Sequence, residues 1–207
     1  MAITTFGTLK TAVENWLADT ATLTSRTPEF VSLAEDDINM DLRVREMETS
    51  TNLTVNAQTV ALPTRFAQAK RLYLSGNPIK PVDYLPPQDF WARYLSTDSG
   101  EPKAFTIEGE NFVFGPTPDS SYTGRLLYYQ KLAAFSADAD TNTVLTTRRG
   151  LYLYGSLKHA ALYLEDGEKA VFYAGLYREI LDNAHRSDSK DRHGGAPLRM
   201  RSDITRT

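Results

Sequence analysis

Apolar residues recur with a helical period at both ends of this chain and with period two in its middle, and that switch limits the folds open to it. Phe6, Leu9, Val13, Trp16 and Leu17 follow helical spacing, which predicts a helix over roughly residues 5–19 capped by Thr4 or Thr5. A second is predicted over 28–46, with Thr27 as N-cap, Pro28 in the first position and Glu29 behind it. Phe30, Leu33, Ala34, Ile38 and Leu42 form its apolar stripe. At Glu48 the pattern changes. TSTNLTVNAQTVALP alternates and is rich in β-branched residues, and QAKRLYLSGNPIKPVDYLP reads as two short strands around a Gly76–Asn77 turn. PPQDFWARYL supplies one or two helical turns. KAFTIEGENFVFGPTP is a hairpin, with Phe105 and Ile107 before the turn and Phe112 and Phe114 after it, and TGRLLYYQKL adds another strand. Helical spacing returns in RRGLYLYGSLKHAALYLED, capped by Thr146 or Thr147, with Leu153, Leu157, Ala161 and Leu164 on one stripe. In the next segment, EKAVFYAGLYREILDNAHR, the stripe is Phe172, Leu176 and Ile180.

The expected fold is therefore α+β. A hairpin of helices over 1–47 packs with another over 146–185 as one bundle, an antiparallel β module over 48–133 is inserted between them, and an extended arm completes the chain over 186–207. From Arg186 to Thr207 six Arg and Lys stand against three Asp, a local balance of +3 in a chain of net charge −3. Gly194 and Gly195 break the preceding helix, and Pro197 holds the residues after it extended. In such an arm Leu198 and Met200 face one side and Arg199 the other, a pattern suited to a groove or a sheet edge on a partner.

Residue content removes several classes of function. The chain has no cysteine, which excludes disulfide frameworks, cysteine nucleophiles and thiolate metal sites and fits a reducing cytoplasm. A slightly acidic balance gives no electrostatic footing for general nucleic-acid binding. The opening MAITTFGTLKTAVENW lacks a signal peptide's basic start and apolar run, and no stretch is long and apolar enough to span a membrane. Three histidines, His159, His185 and His193, pair with no evident nucleophile, and HExxH, GxSxG, P-loop and GxGxxG patterns are missing. His159 reads as a packed or surface side chain. Glu35, Asp36, Asp37 and Asp41 could suggest a carboxylate metal site, but a solvated helix face, with Asp41 spaced to meet Arg45, explains part of the run. Asp138, Asp140 and Asn142 imitate the start of a calcium loop, yet Thr143 and Arg149 stand where glycine and a bidentate glutamate belong. Turn chemistry ahead of a helix fits better. Glu108 and Glu110 flank a hairpin turn, too exposed to serve as a tuned carboxylate pair. The expectation is no enzyme, no cofactor and no metal.

Aromatic residues offer an alternative. LLYYQ, FVF and Trp91 could form a platform for a sugar, making this a carbohydrate- or receptor-binding module. Alternation argues for core packing instead, since Phe112 and Phe114 share one face and one of Tyr128 and Tyr129 turns inwards.

Taken in order and spacing, ALPTRFAQAKRLYLSGNPIKPV, PPQDFWARY, EPKAFTIEGENFVFGPTPD, RLLYYQKL, RGLYLYGSLKHAALYLEDGE and the APLRM tail resemble the tailed-phage head-to-tail connector (adaptor) proteins that dock under the portal. The resemblance covers about residues 60–200, while the N-terminal helices match only in general pattern. It implies a structural virion protein at the head-tail junction, assembled in the bacterial cytoplasm as a dodecameric ring of its own copies. Its partners are then the portal protein and a tail nozzle or tube component, and genomic DNA passes through the channel without specific binding. Portal contact falls to the arm, at Arg192, Leu198, Arg199, Met200, Arg201 and Ile204.

Overall fold

Reciprocal threonine bonds start the first helix. Thr8 N–H donates to the Thr5 hydroxyl oxygen at 3.3 Å, and Thr5 N–H donates to that of Thr8 at 2.9 Å, so α1 (Phe6–Leu17) opens with a capping box. A computed structural model describes residues 2–17, 23–95 and 98–193. It divides the chain into two compact units, one from 1–46 with 133–207 and the other from 47–132.

In the first unit α1 is followed by α2 (Thr27–Asp41). Thr27 does not cap α2. It is fully buried, its hydroxyl donates to the Leu23 carbonyl, and Arg26 holds the cap position. α2 also stops at Asp41, short of the expected 46, because Leu42 turns extended and carries itself and Val44 into the core. Past the β unit, α4 (Thr143–Thr147) is capped by Asn142, whose side chain accepts from Leu145 N–H at 2.8 Å, and not by Thr146 or Thr147. Next come α5 (Arg149–Tyr163) and α6 (Gly167–His193). α5 packs against α1, α2 and α6. Leu151, Tyr152, Leu153, Leu157, Ala160 and Ala161 are all buried on it, as expected of a helix with neighbours all round. Gly155 permits the approach of α2, since a Cβ there would lie 3.0 Å from that of Ala34.

α6 corrects two expectations. Its inward face is Ala170, Tyr173, Tyr177, Ala184 and Asp188, while Phe172 is exposed. Two tyrosines, Tyr173 and Tyr177, supply the core rings on this helix. The helix also runs on to His193, so residues 186–193 are helical where an extended arm was expected.

The second unit contains β1 (Glu48–Val55), β2 (Thr59–Ala61), β3 (Phe66–Leu74), β4 (Lys80–Tyr84), α3 (Pro87–Arg93), β5 (Ser99–Gly100), β6 (Ala104–Glu108), β7 (Asn111–Gly115), β8 (Thr117–Pro118) and β9 (Tyr122–Gln130). Seven strands form one sheet in the order β1-β9-β3-β4-β6-β7-β2. β1 and β2 are at its opposite edges, yet only residues 56–58 join them. Four Cα steps span at most about 14 Å, so the sheet curls until its edges nearly meet. Leu72, Leu74, Val82, Phe105, Phe112, Phe114, Leu126 and Tyr128 fill the interior. The sheet is mixed and not wholly antiparallel: Asp83 and Tyr84 of β4 run parallel to Ala104 and Phe105 of β6. A parallel pair needs a crossover, and residues 85–103, which contain α3, provide it. Phe90 of α3 packs with Ala104 and Val113 on the outer side of the β6–β7 hairpin. β5 and β8 pair separately.

Candidate interaction surfaces

Each carboxylate in the acidic run on α2 has a different environment. Glu35 is buried, with Phe135 N–H and the Tyr152 hydroxyl beside it, and burial pushes its pKa up to about 7 against those two bonds. Burial also raises Tyr152, which accepts from Asn142 Nδ2 at 2.7 Å. Asp37 is paired with Lys158 Nζ at 2.6 Å and His159 Nε2 at 2.7 Å. Burial there is outweighed by those bonds and charges, and the Asp37 pKa falls below the ordinary carboxylate value. Asp36 and Asp41 are exposed. The run is thus spread around the helix, and among the described residues no cluster of His, Cys, Asp or Glu converges as a metal site. Asp140 accepts from Ser136 N–H and Ala137 N–H at 2.7 and 2.8 Å. These bonds lower its pKa and tie its loop as a turn.

The aromatic residues of the β unit are placed inwards. Phe112 and Phe114 are fully buried and Tyr128 nearly so, with Phe66 packed on Phe112 and Tyr128 at 5.5 and 5.6 Å between ring centroids. Trp91 is partly exposed on α3, with its indole N–H bonded to Glu108. No stacked row of rings faces solvent among the described residues to act as a sugar platform.

Exposed apolar side chains gather elsewhere, at the tip of the α5–α6 hairpin. α5 ends with Asp166 N–H bonded to the Ala161 carbonyl and Glu165 N–H to that of Leu162, the two bonds of a Schellman motif. Glu165 takes the left-handed position at φ +57°. Asp166 then caps α6, accepting from Lys169 N–H at 3.1 Å. This tight reversal leaves Leu162, Tyr163, Leu164, Val171 and Phe172 close along the chain and in solvent, with Val171 75% and Phe172 60% exposed. Tyr163 is steadied by Phe30 at 5.6 Å and by Arg26 over its ring. Singly exposed apolar residues are ordinary, but five so close along one hairpin make its tip a candidate interaction surface. Sequence reasoning missed it by assigning Phe172 and Leu164 to the core. The reversal at Glu165–Asp166 was the available signal, since a hairpin end has no partner helix to cover it.

At the other end of α6, Asp188 is buried. It accepts from Arg45 N–H at 2.7 Å and from Arg192 Nε. Burial raises its pKa, but the Arg192 and Arg45 bonds and the nearby Arg148 charge win and hold it low. Arg148 also pairs with Glu46 at 3.0 Å. Arg192, expected in the extended arm, is therefore a half-buried partner within the last turns of a helix. Leu198, Arg199, Met200, Arg201 and Ile204 lie outside the described residues.

Residues 4–201, nearly the whole chain, match the family model described as SU10 adaptor protein. No curated protein matches the chain. The chain therefore belongs to the SU10 adaptor protein family, a phage head-tail adaptor family. Its role is that of a structural phage adaptor and virion component, in a family that is not an enzyme class and whose members assemble with portal and tail components. No helix among the described residues is long and apolar enough to cross a membrane.

Proposed function

From membership of the SU10 adaptor family we propose that copies of this chain close into a dodecameric ring between portal and tail, leaving a channel through which DNA passes. The observation that carries this reading is the apolar tip of the α5–α6 hairpin, in a chain whose family works by assembly. A ring needs heterologous contacts, with one surface of each copy meeting a different surface of the next. A single apolar patch suits one half of such a contact. Five residues are too few for a strong free oligomer by themselves, so closure is templated by the portal through many modest contacts. Residues 194–207, with Leu198, Arg199, Met200, Arg201 and Ile204, reach the portal, and Arg192 fixes the helix from which they start. DNA passes without retention, consistent with the net charge of −3.

Electron micrographs of the protein mixed with portal test this reading. The intact chain should give rings on portal, whereas the free protein should sediment mostly as small species. Truncation after His193 should leave the melting temperature nearly unchanged and abolish stable docking, and replacing Leu198 and Met200 together with Ser should weaken it strongly. A truncated chain that docks as well as the intact one sinks the role of the arm, and a stable ring formed without portal sinks the templating.

A further inference from the structure

Residues 133–142 lead from the β unit into α4 with no helix or strand of their own. They lie across the start of α1. Phe6 N–H donates to the Asp140 carbonyl at 2.8 Å and Gly7 N–H to that of Asp138 at 3.0 Å. The Thr141 hydroxyl donates to the Thr4 carbonyl at 2.8 Å, and Lys10 pairs with Asp138 at 2.6 Å. The seat is close, since a Cβ on Gly7 would lie 3.1 Å from that of Asp138. Strap and first helical turn are one piece, because the Phe6 and Gly7 N–H groups find their acceptors in the strap.

The hold of this piece on α2 and α5 is thin. Phe135 is the one apolar side chain of the strap that is not exposed. Its ring centroid is 5.4 Å from that of Phe6 and 5.3 Å from that of Tyr152. Its N–H is bonded to the Glu35 carboxyl, which the Tyr152 hydroxyl approaches to 3.5 Å. Segments with so few buried apolar contacts open at a fraction of the cost of global unfolding.

Glu35 is the buried group that such an opening would wet, and no cation answers it among the described residues. On α5, Tyr152 is a neutral hydroxyl, while Lys158 and His159 are bonded to Asp37. On α1, Lys10 is paired with Asp138, and Glu14 accepts from the Thr27 hydroxyl. On the strap, Asp140 is tied to Ser136, and on α2 the charge of Asp36 opposes ionisation of Glu35 as burial does. The geometry points to a pH-gated lid: residues 133–142 and the first turn of α1 lift from Glu35 together, baring the rings of Phe6, Phe135 and Tyr152, while the other helices stay folded. Covered, Glu35 keeps its proton up to about pH 7; in water it loses it near 4.5. Opening therefore becomes easier as pH rises between those values and levels off above them. Nothing in this depends on ring formation.

Amide hydrogen exchange of the full chain at pH 5 and pH 7 tests it, each rate being divided by that of an open chain at the same pH. Phe6, Gly7 and Phe135 should lose protection together, by about thirtyfold between the two pH values. At both they should be at least a hundredfold less protected than Leu157, within α5, which marks the opening as local. Glu35→Gln keeps an acceptor for the Phe135 N–H but cannot ionise, and it should cut the pH effect to less than threefold. Phe135→Ala should weaken protection at Phe6 and Gly7 at both pH values and leave the pH effect in place. The lid is overturned if the three amides respond by factors more than threefold apart, or if they are as protected as Leu157. It is equally overturned if the Gln variant keeps the pH effect, or if Phe135→Ala leaves Phe6 and Gly7 unchanged.

Discussion

Glu35 shows how far one side chain can depart from its neighbours in sequence. It is buried at the α2–α5 contact and keeps its proton up to about pH 7, where an ordinary glutamate would lose it near 4.5. Between those values the unfolded chain binds fewer protons at this site than the folded one, so stability falls as pH rises through the window. The gap corresponds to about 3 kcal/mol at 1.36 per pH unit. Asp37 and Asp188, with lowered pKa values, act in the opposite sense. Their contributions are lost below the carboxylate range as pH falls, outside this window. Glu35→Gln should therefore remove the decline in thermal stability between pH 5 and pH 8 that the native chain shows, and melts at the two pH values check it. If the native chain melts at the same temperature at both, Glu35 is not the buried acid described. None of this was legible in the sequence, where Glu35, Asp36 and Asp37 are one run of acids. Only the helix turning through the core separates a buried carboxyl from a paired one and a solvated one.

At the level of elements, periodicity showed which segments are helices and strands, and much less about what they touch. The Phe105/Ile107 and Phe112/Phe114 hairpin was fully readable, because the turn and the alternation specify the same register. The parallel β4–β6 pair was not, since alternation carries no information about the neighbouring strand. The extent of α6 was missed because residues 185–193 are polar on every side. That stretch is held as a helix by the buried Ala184 and Asp188 and the Asp188–Arg192 pair. The end of α5 was hidden for another reason, as its left-handed cap position is filled by Glu165 where glycine is usual. Glu165→Gly should relieve that strain and raise stability by about 0.5–1 kcal/mol, read from urea midpoints at unchanged m. A loss of stability would mean that the Glu165 side chain contributes more than its backbone costs. Gly155→Leu should do the reverse. The added side chain would press on Ala34 and Tyr177 at the closest approach of α2 and α5, destabilising by about 2–3 kcal/mol on the same measurement.

For the whole molecule, the α+β class came from the change of period at Glu48, and the family from the order of short motifs. The second unit has its own enclosed core, so residues 47–132 expressed alone should unfold cooperatively, with near-UV dichroism from the packed rings lost in a single transition. A gradual, non-cooperative loss would show that this stretch depends on the rest of the chain. The hairpin tip leads to a different expectation. Val171→Ser with Phe172→Ser removes exposed apolar surface only, so it should leave the melting temperature within about 2 °C while reducing ring formation on portal. Rings from the variant as abundant as those of the native chain would remove the tip from the contact.

The strand order also bears on synthesis. β9 is inserted between β1 and β3, with Glu48 opposite Tyr129 and Leu72 opposite Leu126. Until Gln130 has left the ribosome, β1 has no partner strand and β3 has only β4. The first unit waits longer, because α5, against which both early helices pack, ends at Tyr163. At translation rates of about 5–20 residues per second, apolar surface is uncovered for several seconds in every nascent copy. A nascent chain of this topology therefore stays open to wrong contacts until its late segments emerge.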